Sequence, residues 1–394
     1  ATDQGSEAEQ LAQLQNFMDI IRVGLAGNLS DFSFVGSDGT MVSGSDVLYN
    51  GSPAGYTADP QEQIVYVSKH DNETLFDIIQ YKAPLETSTA VRARMQTLGN
   101  SLVMFSQGVP FFQAGDDLLR SKSLDRNSYN SGDWFNRLDF TYQSNNWGVG
   151  LPPAGDNQSM WSTMQPLLAN PDLAPTPEDI AFARDTFREL LQIRSGSPLF
   201  RLQTAAQVQD RLQFHNVGDM QIPGLIVLSI SDLTGEDIDP NFDMVVVLFN
   251  ATPDEMGFTD TGVTNLPFSL HPVQQNSVDG VVQTAAFEAA SGTFTVPAWT
   301  TAVFVLPQGS VVPTTSTEDT EIEVEPVEEA AEEVAEPAEE SAEAEAAEDA
   351  PHSEAETVED APGTAWGIWL GAIGGGFLLA LIVAWLSRRK RPGQ

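Results

Sequence analysis

Between Glu7 and Leu25 the apolar positions Leu11, Leu14, Phe17, Ile20, Ile21 and Leu25 are spaced for one face of a helix, and Gly27-Asn28 marks its stop. From Ser30 to Pro60 that period disappears. The segment is rich in Gly, Ser, Asp and Tyr and reads as a long surface loop, a length that is usually functional in a compact domain. Ile64 to Val67 is a short apolar run of the kind that forms a buried strand. Thr87 to Gly99 predicts a helix, capped by Thr87 or Ser88 and stopped by Gly99. Leu102-Val103-Met104-Phe105 predicts a second buried strand, and a loop from Gly108 to Gly115 follows it. Strand, helix and strand at this spacing imply βαβ units and a parallel sheet. The polar and aromatic stretch from Asp116 to Asp156 reads as a loop. Pro177 to Ile193 reads as a helix with Ile180, Phe182, Ala183, Phe187, Leu190 and Leu191 on its apolar face.

Near Ala205 the pattern changes. Short β-branched runs at Gly224 to Ser231, Met244 to Asn250, Gly280 to Thr284, Thr293 to Val296 and Thr300 to Leu306 alternate with turns, as in an antiparallel sandwich. A unit of this kind, over residues 205–306, is able to fold by itself. After Pro307 the composition turns to Pro, Thr, Ala and Glu, which buries too little apolar area to fold alone.

Charge sharpens this division. Of the 56 carboxylates in the 394 residues, 20 fall between Glu318 and Asp360, where there is no Lys or Arg. The formal net charge of −38 is therefore largely that of a solvated acidic spacer, and it argues against nucleic-acid binding, which needs a basic face. The absence of cysteine excludes disulfides, thiolate metal sites and thiol nucleophiles. Ala365 to Leu386 is uncharged and apolar, with Trp366 and Trp369 at one end and Trp385 at the other, and Arg388, Arg389, Lys390 and Arg391 follow. Length, aromatic belts and basic flank predict a membrane-spanning helix with the tail in the cytoplasm and the bulk outside. The expected location is thus the cell surface. The chain starts at Ala1, without Met or a signal peptide, and reads as a processed product or the tail of a longer polypeptide.

The strongest chemical signal lies in Tyr66-Val67-Ser68-Lys69-His70-Asp71-Asn72-Glu73-Thr74-Leu75, where the first strand breaks into a polar cluster. A carboxylate at the C-terminal mouth of a buried parallel strand is where barrel enzymes place catalytic groups. On spacing alone the His70-Asp71 pair also reads as a structural pair or a cap. Tyr66, Trp134, Phe135 and Trp147 suit either sugar stacking or packing under the loop. Asp125-Arg126 suits either ligand contact or a local ion pair. Asp116, Asp117 and Asp156 offer oxygen ligands of the kind Ca²⁺ takes, but there is no EF-hand spacing, so neither metal nor cofactor is assigned.

That ten-residue block resembles the last conserved block of the α-amylase superfamily in the form carried by pullulanase-type α-1,6-glucosidases. The resemblance extends over about residues 17 to 306, through Ile21 to Leu29, Tyr49 to Tyr56, Phe111 to Gly115, Ser121 to Tyr129 and Gly132 to Asn136. It implies an α/β plus all-β chain, with the last strands and helices of a (β/α)8 TIM barrel (1–200) and an antiparallel β-sandwich (201–308), to which composition and hydropathy add a disordered acidic linker (309–363), a transmembrane helix (364–387) and a basic tail (388–394). It implies Asp71 as transition-state stabiliser and His70 as sugar-binding histidine, with Tyr66, Asp125, Arg126, Asn127 and Trp134 contacting an α-glucan. The implied reaction is hydrolysis of α-1,6 bonds in pullulan, starch or glycogen. In the family the aspartate nucleophile and glutamate acid/base precede the His-Asp block, and the 69 residues before His70 carry neither signature. The chain alone is therefore expected to be inactive. The alternative is a non-catalytic cell-surface module that binds α-glucan.

Overall fold

The computed structural model describes residues 5–310. Apart from the first two residues of the linker, the predicted acidic linker, transmembrane helix and basic tail lie outside the described residues. Among the described residues no helix is long and apolar enough to cross a membrane.

Helix α1 (Glu7–Leu25) begins at a capping box in which Ser6 and Glu9 exchange hydrogen bonds, and buries Leu14, Met18, Ile21 and Leu25. The expected open loop after it is folded into two antiparallel hairpins, β1 (Ser33–Val35) with β2 (Met41–Ser43), and β3 (Leu48–Tyr49) with β4 (Ser52–Pro53). Each strand is only two or three residues long, too short for an alternating pattern to register.

Strand β5 is confined to Ile64–Val65. It pairs in parallel with β6 (Val109–Pro110), with Ile64 opposite Val109 and Val65 opposite Pro110. Between them run α2 (Leu75–Lys82), capped by Thr74, and α3 (Thr89–Met104), capped by Ser88. The strand expected at Leu102 to Phe105 is therefore the last turn of α3, and Gly99 lies inside the helix rather than ending it. The physical reason is burial around most of the helix: Met95, Leu98, Gly99, Asn100, Val103 and Met104 are all covered. A continuous apolar run in a surrounded helix cannot be told from a buried strand by period.

The second half opens with the long helix Pro177–Gly196, capped by Thr176 and Asp179. Then come β7 (Leu212–His215), β8 (Leu225–Ser231), β9 (Phe242–Asn250), β10 (Met256–Thr259), β11 (Ser269–Leu270), β12 (Ala286–Glu288), β13 (Thr293–Val296) and β14 (Thr300–Pro307). They form two antiparallel sheets, one of five strands in the order β11-β14-β9-β8-β7 and one of three in the order β10-β13-β12. The strand expected at Gly280 to Thr284 is instead a single 3-10 turn, Val282–Thr284.

The five-stranded sheet is buried on both faces. Val227, Val246, Leu248, Phe304 and Leu306 pack toward Phe268, Phe294 and Val296 of the smaller sheet's side. The alternate residues Leu228, Ile230, Val245, Val247, Phe249, Val303 and Val305 share one core with Leu14 and Met18 of α1, Leu98 and Val103 of α3, and Ile193. A sheet covered twice needs apolar residues at successive positions, which is why its strands read as unbroken runs. This packing joins the sandwich to α1 and α3 through one shared core.

Candidate active site

Two loops leave the C-terminal ends of β5 and β6 and are tied to each other. Phe111 N–H donates to the Val65 carbonyl (2.8 Å), continuing the parallel pairing. Ser68 Oγ donates to Gln113 Oε1 (2.7 Å), and Gln113 N–H donates to the Asp116 carboxylate (3.0 Å). Asp116 is buried, and desolvation pushes its carboxyl up to about 7.

The first loop carries His70 and Asp71 to the surface. The Asp71 side chain is 49% exposed and accepts from Lys69 Nζ at 2.7 Å, while His70 Nε2 lies 3.4 Å away and its ring is 85% exposed. The Lys69 hydrogen bond holds the Asp71 carboxyl below its ordinary value, so it is ionised at neutral pH. Asn72 follows with φ 59°, a left-handed conformation in which Asn is enriched.

The loop is held from beneath by a residue whose role the sequence did not signal. Lys122 is fully buried, and its ammonium donates to the backbone carbonyls of His70 (3.1 Å) and Asn72 (2.5 Å), one on each side of Asp71. Asp77 of α2 is equally buried. It accepts from Ser121 Oγ (2.5 Å), Lys122 N–H (2.8 Å) and Leu124 N–H (3.3 Å). Burial raises the Asp77 carboxyl to about 6 and lowers the Lys122 ammonium, and attraction between the two opposes both shifts. Leu119, Ser123 and Leu124 all adopt positive φ around this pair, a clustering of backbone strain characteristic of functional loops.

Asp125, Arg126 and Asn127 continue this second loop. Asp125 is buried and forms no ion pair with Arg126. Its Oδ1 accepts from Asn157 Nδ2 (3.0 Å) and Asn127 N–H (3.1 Å), and its Oδ2 has no hydrogen-bond partner. Arg126 is exposed and anchored through its backbone N–H on Asn157 Oδ1 (3.0 Å), and Asn127 Nδ2 donates to Asp156 (3.2 Å). Trp134 is 62% exposed, yet its indole N–H donates to the Val149 carbonyl (2.8 Å), which fixes the ring edge. Tyr66 is half-buried. Phe135 and Trp147 pack inward, Trp147 edge-on to Phe76 at 5.8 Å between ring centroids. Lys122 thus brings the His70-Asp71 loop against the loop carrying Asp125, whereas Trp134 is fixed elsewhere, on Val149. Among the described residues no group of three or more His, Cys, Asp or Glu is placed to hold a metal ion.

This architecture has close relatives. The family of α-1,6-glucosidases, pullulanase-type, C-terminal, matches residues 142–307. Pullulanase 1 of the chloroplast of Arabidopsis thaliana is 49% identical over 311 residues, covering 77% of this chain and 32% of that protein. The pullulanase of Klebsiella pneumoniae is 41% identical over 302 residues, covering 75% and 27%. The crystal structure of that bacterium's pullulanase in complex with maltotriose superposes with a TM-score of 0.72 at 40% identity, covering 75% of this chain and 32% of the crystallised one. The chain matches the C-terminal part of the pullulanase-type α-1,6-glucosidases. It spans 32% and 27% of the length of these two curated relatives.

Within this pullulanase-type chain, Lys122, Asp77 and Asn157 are the residues that sequence reasoning left out. All three are polar residues whose importance comes from complete burial. Lys122 and Asn157 sit in hydrophilic stretches that carry no periodic signal, so nothing in the pattern marks them as interior.

Proposed function

We propose that this chain supplies the last two βα units and the C-terminal sandwich of an α-glucan debranching glycosidase that hydrolyses α-1,6 bonds in pullulan, starch or glycogen. The observation that carries the reading is Asp71: an ionised, half-exposed carboxylate at the mouth of a parallel strand pair, backed by Lys69. Cleavage of a glycosidic bond passes through an oxocarbenium-like transition state. A carboxylate fixed beside the ring stabilises that cation more than it stabilises neutral substrate. His70 would donate to hydroxyls of the same sugar. The exposed face of Trp134 and the exposed Arg126 suit neighbouring glucose units, with Tyr66, Asp125 and Asn127 shaping their surroundings.

A retaining mechanism needs two further carboxyl groups about 5–5.5 Å apart. In this reading they come from polypeptide outside this chain. The open edges of β5 and β6 support it, because Ile64 (56% exposed), Val109 (47%) and Phe111 (53%) form an uncovered apolar patch of the kind the rest of a barrel would bury. Division at 200/201 into a barrel portion and a sandwich belongs to the same reading. Cell-surface placement through residues 364–391 rests on their sequence alone.

The test is a hybrid in which residues 5–310 replace the matching segment of the Klebsiella pneumoniae pullulanase. The hybrid is expected to clear pullulan in a zymogram and the 394-residue chain is not. Asp71→Asn in the hybrid is expected to lower kcat by about 100-fold or more. Near-normal turnover by that variant would sink the assignment. Binding of amylopectin by the 394-residue chain, together with an inactive hybrid, would favour the non-catalytic binding module instead.

A further inference from the structure

We propose that Lys122 is a positioning residue whose buried ammonium clamps the backbone on both sides of Asp71, holding the His70-Asp71 loop in register with the Asp125-Asn127 loop. The proposal rests on the reading of Asp71 given above and concerns how that side chain is held.

Three features of the geometry carry it. First, a fully buried lysine directs its ammonium at two main-chain carbonyls, His70 (3.1 Å) and Asn72 (2.5 Å), that are two residues apart. Charge-assisted hydrogen bonds to both flanks of one residue restrict the peptide planes that orient its side chain. Second, Lys122 is itself fixed. Its N–H donates to Asp77 (2.8 Å) and its carbonyl accepts from Asp125 N–H (3.0 Å), so the cation joins α2, the Asp71 loop and the Asp125 loop through one residue. Third, the hydrogen bond and ion pair of the Asp71 side chain stay within its own loop, on Lys69 and His70, and Lys122 acts on the carboxylate by charge alone. Neither neighbour fixes the loop to the fold, and Asn72 holds a left-handed backbone that needs support from its surroundings. Ser123 and Leu124, the next two residues of the chain, hold positive φ of 55° and 67°.

Backbone ¹⁵N relaxation on the 394-residue chain tests this. Lys122→Met keeps the length of the side chain and removes the charge. Order parameters of residues 70–73 are expected to fall from the roughly 0.85 of rigid backbone to below about 0.6, while those of β8, β9 and the Pro177–Gly196 helix keep their wild-type values. Should the lone buried Asp77 unfold that variant, the Lys122→Met/Asp77→Asn double variant makes the same comparison with both charges removed. Lys122→Cys introduces the single thiol of a chain that has none. Aminoethylated in the unfolded state and refolded, it regains an ammonium at nearly the same reach and is expected to restore the order of the loop, whereas the neutral S-propyl adduct is not. Unchanged order parameters at 70–73 overturn the proposal. So does a loss of order spread evenly over the sheet and helices, which would make Lys122 a support of the fold and not of the loop. No sugar is needed for this measurement, so its outcome is separate from that of Asp71→Asn in the hybrid.

Discussion

Phe105 tests whether the two halves of the molecule are one cooperative body. It caps the C-terminus of α3, is fully buried, and packs at a tilt against Phe200 with centroids 5.0 Å apart and against Phe249 of β9 at 6.4 Å. It therefore stands where α3 meets the inner face of the five-stranded sheet. A Phe side chain buries roughly 150–250 Å². At about 25 cal/mol per Å² this corresponds to ~4–6 kcal/mol, and measured Phe→Ala costs of about 3–5 kcal/mol include the cavity left behind. Phe105→Ala should therefore cost about 4 kcal/mol, a large share of the ~5–15 kcal/mol that stabilises a typical protein. Urea unfolding followed by fluorine NMR of fluorotryptophan-labelled protein separates the two halves. Trp147 packs against Phe76 beneath the Asp116–Asp156 segment, and Trp299 lies in the core shared with the sheet. Both resonances are expected to shift their midpoints downward together, by on the order of 1 M urea. A variant in which Trp147 moves and Trp299 stays would refute the shared core and restore an independently folding sandwich.

Two further outcomes follow from specific contacts. Burial raises the folded pKa of Asp77 to about 6 from an ordinary 3.8, so the folded state prefers the protonated form. Its contribution is present below about pH 4 and is lost as pH rises through 6, amounting to roughly 3 kcal/mol across that window. Calorimetry from pH 4 to 7 should show a flatter decline in Asp77→Asn than in wild type, and parallel declines would contradict the assignment. Gly44 is the tightest backbone approach in the hairpin region: a Cβ there would lie 2.0 Å from the Leu29 carbonyl oxygen, and Gly44 O accepts from Gly55 N–H at 2.8 Å. Gly44→Ala should forfeit several kcal/mol, read as a drop in the thermal midpoint. A midpoint within a degree of wild type would show that the hairpins slide apart freely.

Much of the secondary structure could be read from local pattern because the signals are local. Capping residues and 3.6-residue spacing located α1 and the Pro177 helix, and unbroken β-branched runs located β8, β9, β13 and β14. Reading failed where burial, not period, determines the residue type. The end of α3 looks like a strand because it is covered nearly all round, and Gly280 to Thr284 looks like a strand although only a turn fits there. The candidate site divides in the same way. The surface-facing His70 and Asp71 were legible as an unusual polar pair after an apolar run. The buried Lys122, Asp77 and Asn157 that support the two loops were not, since a polar residue gives no sign in one dimension of whether water or protein surrounds it.

By itself the sequence determined α1, the Pro177–Gly196 helix and strands β8, β9, β13 and β14, the family whose C-terminal part the chain matches, and the position of the carboxylate proposed to face the sugar. These follow from short-range sterics, amphipathic spacing and motif identity. Only the tertiary structure decided that the five-stranded sheet is covered on both faces, that Asp125 is paired with Asn157 instead of Arg126, and that a buried lysine reaches across 50 residues to hold the peptide groups around Asp71. Each of these is a contact between residues distant in the chain, and its free energy depends on how completely water is excluded from the place where they meet.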